Sequence, residues 1–446
     1  MEEIIRYITT FLLGEGNEAL TDLIAYSRNS SAPIVIQPSS FFDPKVYLTE
    51  LSMPQLPLQE CCGVPVLFGD NKIVRSQNQY IVYADFIASS YFLMSRYEEC
   101  ICRNIRDQHG RFTGKDSLPF RGNFLLRPIV DEYGKILREF LRELGISVAE
   151  PSHEFQHIYL THDVDEIWRW GNLQNVLKTF VKKMIRKERE VFESFKGWYD
   201  YKKYDPIFTF PWLVKQDQKL VKYIGKERCT SVFFIKGGGH DKKDDFYYKK
   251  RRRVEDLIDY LLKNSCIIGL HASFSAGKDP DKIKEEKKYL ENIRKDKVYW
   301  NRNHYLCSRE PEDMEGLIAA GITDDFTMGY AYQVGFRLGT CQPVQWINPL
   351  TKQLTSLVLH PMVIMDCTLN EERYMNLDKI EAFDLISKLV DIVKIYHGEL
   401  VLLWHNTSVV RQNSGYHREL YKETLHYIFR KSMKEKVLEK GTRNGV

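Results

Sequence analysis

Short apolar runs that end in polar residues alternate with helical segments over the C-terminal two-thirds of the chain, and this pattern constrains the fold most. The runs are HIYLTHD, TSVFFIKGG, CIIGLHASF, AGITDDF and ELVLLWHNTS, and the segments between them include DPDKIKEEKKYLENIRK and FDLISKLVDIVKIYHG. Strands that alternate with helices pair in parallel, and ligands in such folds bind at the carboxyl ends of the strands. We therefore predict an α/β domain over residues 151–446 with its functional site at those strand ends.

Residues 1–150 contain a second series of short strand-like and helical stretches. APIVIQ, VPVLFG and NQYIVYADF fit strands, and DEYGKILREFLRELGI has apolar residues at helical spacing. Histidines are few here, and the acids form no obvious cluster. Because 446 residues exceed one ordinary core, we expect residues 1–150 to form an α/β accessory domain without chemistry of its own.

The charge balance and the cysteines exclude several classes of protein. Sixty-four basic and 60 acidic residues leave a net charge of +4, which is far from the basicity of a dedicated nucleic-acid binder. The nine cysteines are scattered and form no pair of CxxC units, which argues against a structural zinc site and suits a reducing compartment. The first residues are acidic, and no apolar run approaches the length of a membrane span. We expect a cytoplasmic protein with no signal peptide and no transmembrane segment.

A basic insertion interrupts the α/β pattern at residues 172–204, NLQNVLKTFVKKMIRKEREVFESFKGWYDYKKY, and KKRRR follows at 249–253. Charge runs usually face water, so a solvated basic helical face is the expected structure. The alternative is a peripheral contact with an anionic membrane surface, or with a phosphorylated glycan carrier.

Titratable residues cluster at the predicted strand ends. THDVD at 161–165 places Asp163 and Asp165 two positions apart, with His162 in front of them. Carboxylates this close repel each other unless a cation or a reaction uses them; solvated acids in a turn are the alternative. Side chains alternate along a strand, so we expect His162 to point away from both acids and to be a hydrogen-bonded structural histidine. The other strand-end groups are His271, Asp324, Asp325 and His405.

Taken in chain order, these motifs resemble those of the polysaccharide deacetylase (NodB-type) superfamily, whose members are distorted (β/α) barrels that remove acetyl groups from glycans. THDVD is similar to the first family motif, T-F-D-x-D, which implies Asp163 as general base and Asp165 as metal ligand. LWH at 403–405 is similar to the L-x-H motif, which implies His405 as general acid. GITDDF lies where the fourth motif supplies an acid, which implies that Asp325 orients His405 and raises its pKa. The resemblance further implies Tyr305 and Trp404 as substrate-binding residues.

The second and third motifs depart from the family pattern. HASFSAG supplies His271, but Ser275 stands where the family has a second histidine. RNHY at 302–305 has His304 where the family has proline, and it retains Arg302, which the resemblance places against Asp163. We predict that His304 supplies the missing nitrogen, so that Asp165, His271 and His304 hold one divalent metal, expected to be zinc. The alternative is that His304 only packs or forms a hydrogen bond.

A wider set of segments resembles a subgroup of deacetylase-like proteins that carry an additional N-terminal domain. These segments are VLFGD, SRYEE, RPIVDEY, FTMGYA, GFRLGTC and WHNTS. The resemblance implies a metal-dependent hydrolase that removes acetyl groups, from amide or ester bonds, in cell-envelope polysaccharide synthesis. The alternative is a non-catalytic carbohydrate-binding or scaffolding protein that has lost its metal. The sequence leaves open the sugar, the metal and the oligomeric state.

Overall fold

The structure is a computed structural model that describes residues 1–186, 191–244, 251–410 and 415–442. The chain divides into two compact units. Unit 1 consists of Met1–Gln156, Tyr305–Val363 and Asp391–Leu400, and unit 2 of His157–His304, Ile364–Val390 and Val401–Val446. Residues 305–363 and 391–400 group with the N-terminal stretch in unit 1. The predicted domain boundary at residue 150 stays a prediction.

The first 156 residues contain a four-stranded mixed sheet and five α-helices. The strand order is β1-β2-β6-β5, in which β5 alone is antiparallel to its neighbour, and β3 and β4 form a separate antiparallel pair. APIVIQ, VPVLFG and NQYIVYADF contain β2, β4 and β6, as predicted. The elements are α1 Glu2–Leu13, β1 Ile24–Tyr26, β2 Ile34–Ile36, β3 Gln59–Cys61, β4 Val64–Val66, β5 Gly69–Arg75, β6 Tyr80–Ala84, α2 Phe86–Met94, α3 Tyr97–Ile101, α4 Leu118–Arg121 and α5 Ile129–Glu143.

Residues 157–304 alternate strands with helices. Strands β7 to β10 are neighbours in sequence order, and every pair among them is parallel. HIYLTHD, TSVFFIKGG and CIIGLHASF match β7, β8 and β9, with β7 and β8 each extending one residue beyond the predicted run, which confirms those three predictions. The elements are β7 His157–Val164, α6 Leu173–Ile185, α7 Glu193–Tyr199, α8 Tyr201–Tyr204, α9 Phe210–Ile224, β8 Cys229–Ile235, α10 Arg251–Lys263, β9 Ile267–Ala272, α11 Pro280–Arg294 and β10 Trp300–Asn303.

The remaining chain contributes to both units. In unit 1, β13 pairs antiparallel with β12 and parallel with β11. In the strand order, β15 and then β14 follow β7, and the division between the units falls within both of these strands. The elements are α12 Asp313–Ala319, β11 Asp324–Asp325, β12 Val344–Asn348, β13 Gln353–Leu359, β14 Met362–Met365, α13 Asp366–Asn370, α14 Lys379–Ile395, β15 Glu399–Leu403 and α15 His417–Thr442.

Local sequence explains why these elements begin and end where they do. The apolar runs of β7 and β8 are buried almost throughout, as expected for parallel strands that are covered on both faces. Helix α11 begins with Pro280 in its first turn, after Asp279, whose side chain accepts a hydrogen bond from the Asp281 N–H. It ends at Lys295, which takes a left-handed conformation with φ 60°. The α/β class is therefore confirmed, and closure of the strands into a barrel stays a prediction.

Part of the basic insertion lies outside the described residues. Residues 187–190 and positions 249 and 250 of the KKRRR run belong to that part. In the ranges that the structure does describe, no helix combines the length and the apolar character needed to cross a membrane.

Candidate metal centre and active site

The carboxyl ends of β7, β9 and β10 of unit 2, with β8 between β7 and β9, bring the candidate residues together. Asp163 is the second-last residue of β7, and Asp165 directly follows that strand. His271 lies on β9 opposite Arg302 of β10, and His304 follows β10. Because parallel strands run in the same direction, their carboxyl ends meet at one edge, and short loops suffice to collect these side chains.

Asp165, His271 and His304 point their ligand atoms at a common position. Asp165 Oδ1 lies 3.6 Å from His271 Nε2 and 3.3 Å from His304 Nε2. The three residues form a group that could hold a metal ion. Two ligands at zinc's bond length of about 2.0–2.1 Å in tetrahedral geometry are about 3.3–3.4 Å apart, close to both distances.

The Nδ1 nitrogen of each of the two histidine rings, His271 and His304, forms a hydrogen bond. His271 Nδ1 lies 2.8 Å from the Arg302 carbonyl oxygen, and His304 Nδ1 lies 3.0 Å from Asp244 Oδ1. A carbonyl oxygen and an ionised carboxylate only accept, so Nδ1 carries the proton in both neutral rings. The Nε2 lone pair of each ring is then available to a cation, as in the carboxylate–histidine–zinc arrangement of known sites.

Two buried atoms of the cluster support the fit to a cation. Asp165 Oδ1 and His271 Nε2 are shielded from solvent, and neither has a hydrogen-bond partner among the described residues. Their 3.6 Å separation is beyond hydrogen-bonding range. Polar atoms buried in this way are costly unless something binds them. The donor set, one carboxylate oxygen and two imidazole nitrogens, therefore fits a divalent cation of the zinc type.

The electrostatic surroundings keep the ligands in the states that a cation requires. Burial lowers the pKa of His271, so the ring is neutral. Burial alone would raise the pKa of Asp165, but His271, His304 and Lys236 together hold it well below its usual range. The Lys236 ammonium donates to the Asp165 carbonyl oxygen at 3.2 Å and lies 3.8 Å from Oδ1.

Ser275 supports Asp244 in the structure. Its hydroxyl donates to Asp244 Oδ2 at 3.1 Å, and Asp244 Oδ1 also accepts from the Phe274 N–H at 2.8 Å. Burial would raise the pKa of Asp244, but these bonds and His304 lower it to about 2. Ser275 thus contacts the Asp244 carboxylate, which in turn holds His304.

Asp163 is held by one of its two oxygens. Arg302, which is fully buried, donates from Nη1 to Asp163 Oδ1 at 3.1 Å and to Thr161 Oγ1 at 2.6 Å. Asp163 Oδ2 lies 3.7 Å from His271 Nε2 and 4.0 Å from His405 Nε2. The arginine therefore fixes the carboxylate, while the second oxygen of Asp163 lies beside the candidate ligand His271.

The acid that orients His405 is Asp366, which corrects the prediction of Asp325. His405 Nδ1 lies 2.7 Å from Asp366 Oδ1, and the His405 N–H donates to Asp366 Oδ2 at 2.8 Å. Burial would lower the pKa of His405, but Asp366, Asp165 and Asp163 raise it to about 10. Asp325 instead accepts from the backbone N–H and the hydroxyl of Thr327 within unit 1.

Trp404 and Tyr305 are the two residues that were predicted to bind the substrate. The Trp404 side chain is fully buried and packs on Tyr421, with ring centroids 5.0 Å apart. A buried indole cannot contact a sugar, so the predicted substrate contact of Trp404 is wrong. Tyr305 follows His304 with φ 60°, and its ring lies 5.0 Å from that of His109 within unit 1. Its substrate contact stays a prediction.

His162 is a structural histidine, as predicted. Its Nδ1 lies 2.8 Å from the Trp404 carbonyl oxygen, and its Nε2 lies 2.9 Å from Asp217 Oδ2. Asp217 is fully buried and also accepts from Ser231 and Tyr421. Both ring nitrogens of His162 therefore form hydrogen bonds within the core.

Sequence reasoning missed three residues of the site, and two of them had a signal. Asp366 follows the apolar run MVIM, and Lys236 follows SVFFI, so both are polar residues at strand ends. Asp244 lies in the segment after β8 and belongs to no periodic pattern. A systematic list of strand-end polar residues would have included the first two.

Comparisons with known proteins give distant likenesses. Residues 5–146 match DUF7033, described as a family of unknown function. Among solved structures, the chain is similar to a proposed polysaccharide deacetylase from Mycobacterium smegmatis at 15% identity and a TM-score of 0.39, over 63% of this chain and 86% of that one. It is also similar to PuuE allantoinase at 13% identity and a TM-score of 0.38, over 63% of this chain and 88% of that one. No curated protein sequence matches the chain.

Proposed function

We propose that the protein is a metal-dependent hydrolase that removes acetyl groups from a glycan or a glycan precursor, with a role in cell-envelope polysaccharide synthesis. One observation carries the proposal. Asp165 Oδ1 and His271 Nε2 are buried, lack a hydrogen-bond partner among the described residues and lie 3.6 Å apart, and Asp165 Oδ1 lies 3.3 Å from His304 Nε2. A purely structural cluster would pair these atoms with each other or with neighbouring groups.

Asp165, His271 and His304 would hold the cation. A divalent ion bound by these residues supplies Lewis-acid polarisation of the acyl carbonyl and lowers the pKa of a water molecule. Three protein ligands leave a position for solvent or substrate, as in catalytic zinc sites. Cytoplasmic location and zinc as the metal belong to this proposal.

Asp163 is the general base. Arg302 occupies Oδ1, so Oδ2 is the oxygen that accepts a proton from the attacking water. The carboxylate lies beside the metal ligands, 3.7 Å from His271 Nε2. Proton transfer to Oδ2 therefore takes place where the nucleophile forms.

His405 is the general acid. Asp366 binds Nδ1, so the proton that the ring can release is on Nε2, the atom that lies 4.0 Å from Asp163 Oδ2. The raised pKa keeps the ring protonated at neutral pH. The same proton can pass to the departing amine or alkoxide, which accounts for hydrolysis of either an amide or an ester.

The acetylated glycan is supported by the order of the motifs along the chain, and its test is release of acetate. The full chain is incubated with zinc and with either N-acetylglucosamine oligomers or acetylated xylan, and free acetate is measured. We expect His271→Ala to abolish release and to lose the metal. His426→Ala is the matched control, because His426 is exposed on α15, and it should retain both.

The alternative of a non-catalytic binder predicts different results. Such a protein would bind the acetylated oligomers without releasing acetate, and it would contain no stoichiometric metal after purification in the presence of zinc. That combination of results would overturn the hydrolase proposal.

A further inference from the structure

Helix α6 of the basic insertion carries an exposed apolar stripe. Its members recur at intervals of four, four, three and one positions, so at about 100° per residue they lie on one face of the helix. They are 44–74% exposed, whereas Val176 is the one buried residue of the helix. Scattered exposed apolar residues are ordinary, but a contiguous stripe marks an interaction surface. The stripe consists of Leu173, Leu177, Val181, Met184 and Ile185.

Helix α7 and Phe192, the residue before it, carry further exposed aromatic side chains. Phe180 of α6 packs against Phe192 and Phe195, with ring centroids 5.5 and 5.3 Å apart. Phe192, Trp198 and Tyr199 are nevertheless 65%, 42% and 92% exposed. Amphipathic aromatic rings favour the boundary between water and lipid headgroups. We call the stripe and Phe192, whose ring lies against Phe180 of α6, the α6–α7 surface.

Basic residues border the stripe. Lys178, Lys182 and Arg186 each directly follow a member of the stripe, and they line one surface groove together with those members. None of the three forms an ion pair with a described carboxylate, and α6 contains no acid. Long basic side chains can place their charge at headgroup level while their stems lie along apolar surface. The charge of this border is complementary to an anionic layer.

We propose that the α6–α7 surface docks on an anionic membrane surface. The apolar stripe enters the boundary between headgroups and acyl chains, and the basic border contacts the phosphates. A solvated basic face, which the charge pattern alone favours, does not explain five exposed apolar side chains on one face. The proposal does not depend on catalysis, because none of these residues belongs to the metal centre.

Vesicle sedimentation with the full chain tests the proposal. The probes are vesicles of phosphatidylcholine alone and vesicles containing about 30% phosphatidylglycerol, because anionic lipid is the predicted determinant. We expect binding to the anionic vesicles. The triple variant Lys178→Gln, Lys182→Gln, Arg186→Gln should lower the partition coefficient by about fivefold per charge, on the order of 100-fold in all. Val181→Asp with Ile185→Asp should abolish binding.

Matched controls separate the surface from charge and hydrophobicity in general. The first control removes three lysines from α11, a helix without an exposed apolar stripe, through Lys282→Gln, Lys284→Gln and Lys288→Gln. The second is Ile380→Asp, since Ile380 is 70% exposed on α14 and lies outside the surface. Both should bind as the unmodified chain does.

Three results would overturn the proposal. The first is absence of binding to anionic vesicles by a chain with native circular dichroism. The second is equal binding by the charge variant and the unmodified chain. The third is self-association that Ile185→Asp abolishes in the absence of lipid, which would identify the surface as an interface between copies of the chain.

Discussion

Replacing His304 by alanine tests the metal centre most directly. His304 Nε2 lies 3.3 Å from Asp165 Oδ1, while Nδ1 is held by Asp244 at 3.0 Å. The substitution removes one of three proposed ligands and would leave Asp165 with His271, which is a weak two-ligand site. Ser275 cannot replace the lost nitrogen, because its hydroxyl donates to Asp244 and an unionised hydroxyl hardly competes with water.

The structure predicts a graded series of metal affinities. An outer partner of a ligating histidine is worth about 10–100-fold in affinity. Asp244→Asn keeps a neutral acceptor for His304 but loses the negative charge, so we expect the metal affinity to fall about tenfold. His304→Ala removes the ligand itself and should cost more than about 100-fold, which is about 3 kcal/mol at 1.4 kcal/mol per tenfold. Ser275→Ala removes one of several bonds to Asp244, so we expect less than about fivefold.

Zinc titration calorimetry and elemental analysis measure the series on full-length protein. Circular dichroism and urea unfolding check that each variant is folded. Full metal retention in His304→Ala would refute the three-ligand site. A larger loss in Ser275→Ala than in His304→Ala would place the metal on the serine side and would refute the substitution of one histidine by the other.

Three other predictions concern the base and the two buried networks. Asp163→Asn should lower acetate release by about 10²–10⁴-fold while zinc binding persists, because the amide cannot accept a proton; unchanged release would exclude Asp163 as the base. His360 of unit 1 lies between Glu399 and Asp324, and although burial opposes it, Glu399 raises the pKa of His360 to about 9. A raised pKa stabilises the fold below the ordinary value of 6.5, so up to about 3 kcal/mol of unfolding free energy should be lost as the pH rises through 9. The unfolding free energy of His360→Gln, measured in urea, should depend less on pH than that of the unmodified chain. An identical pH dependence would contradict this prediction. Asp217→Leu leaves three buried donors unpaired and should lower the unfolding free energy by about 3 kcal/mol or more in urea, whereas a neutral effect would contradict its central place in the core.

Periodic patterns predicted several of the elements. Helix α11 begins at the Asp–Pro pair, and β7 to β9 coincide with apolar runs that are too short for buried helices. These features depend on neighbours within a few residues of each other. Capping, alternation and run length are therefore sufficient to predict them.

The pairing of site residues was predicted only where the strand register determines it. Asp163, Asp165 and His271 lie at the carboxyl ends of β7 and β9, which both pair in parallel with β8, so all three residues are expected at one edge of the sheet. The choice of Asp325 as the partner of His405 was wrong, since several strand ends carry acids and chain order does not say which one faces a given histidine. Asp366 satisfies the same pattern of an acid after an apolar run.

The sequence by itself determined the α/β class, several of the strands and some of the titratable groups that their ends present. Only the tertiary structure decided which carboxylate holds which histidine, and that Trp404 is buried. Asp366 binds a histidine 39 positions away, and Asp244 binds one 60 positions away. Such pairs depend on the paths of the loops between elements, which no local propensity encodes, because a hydrogen bond of about 3 Å requires positions set by the packing of the whole unit.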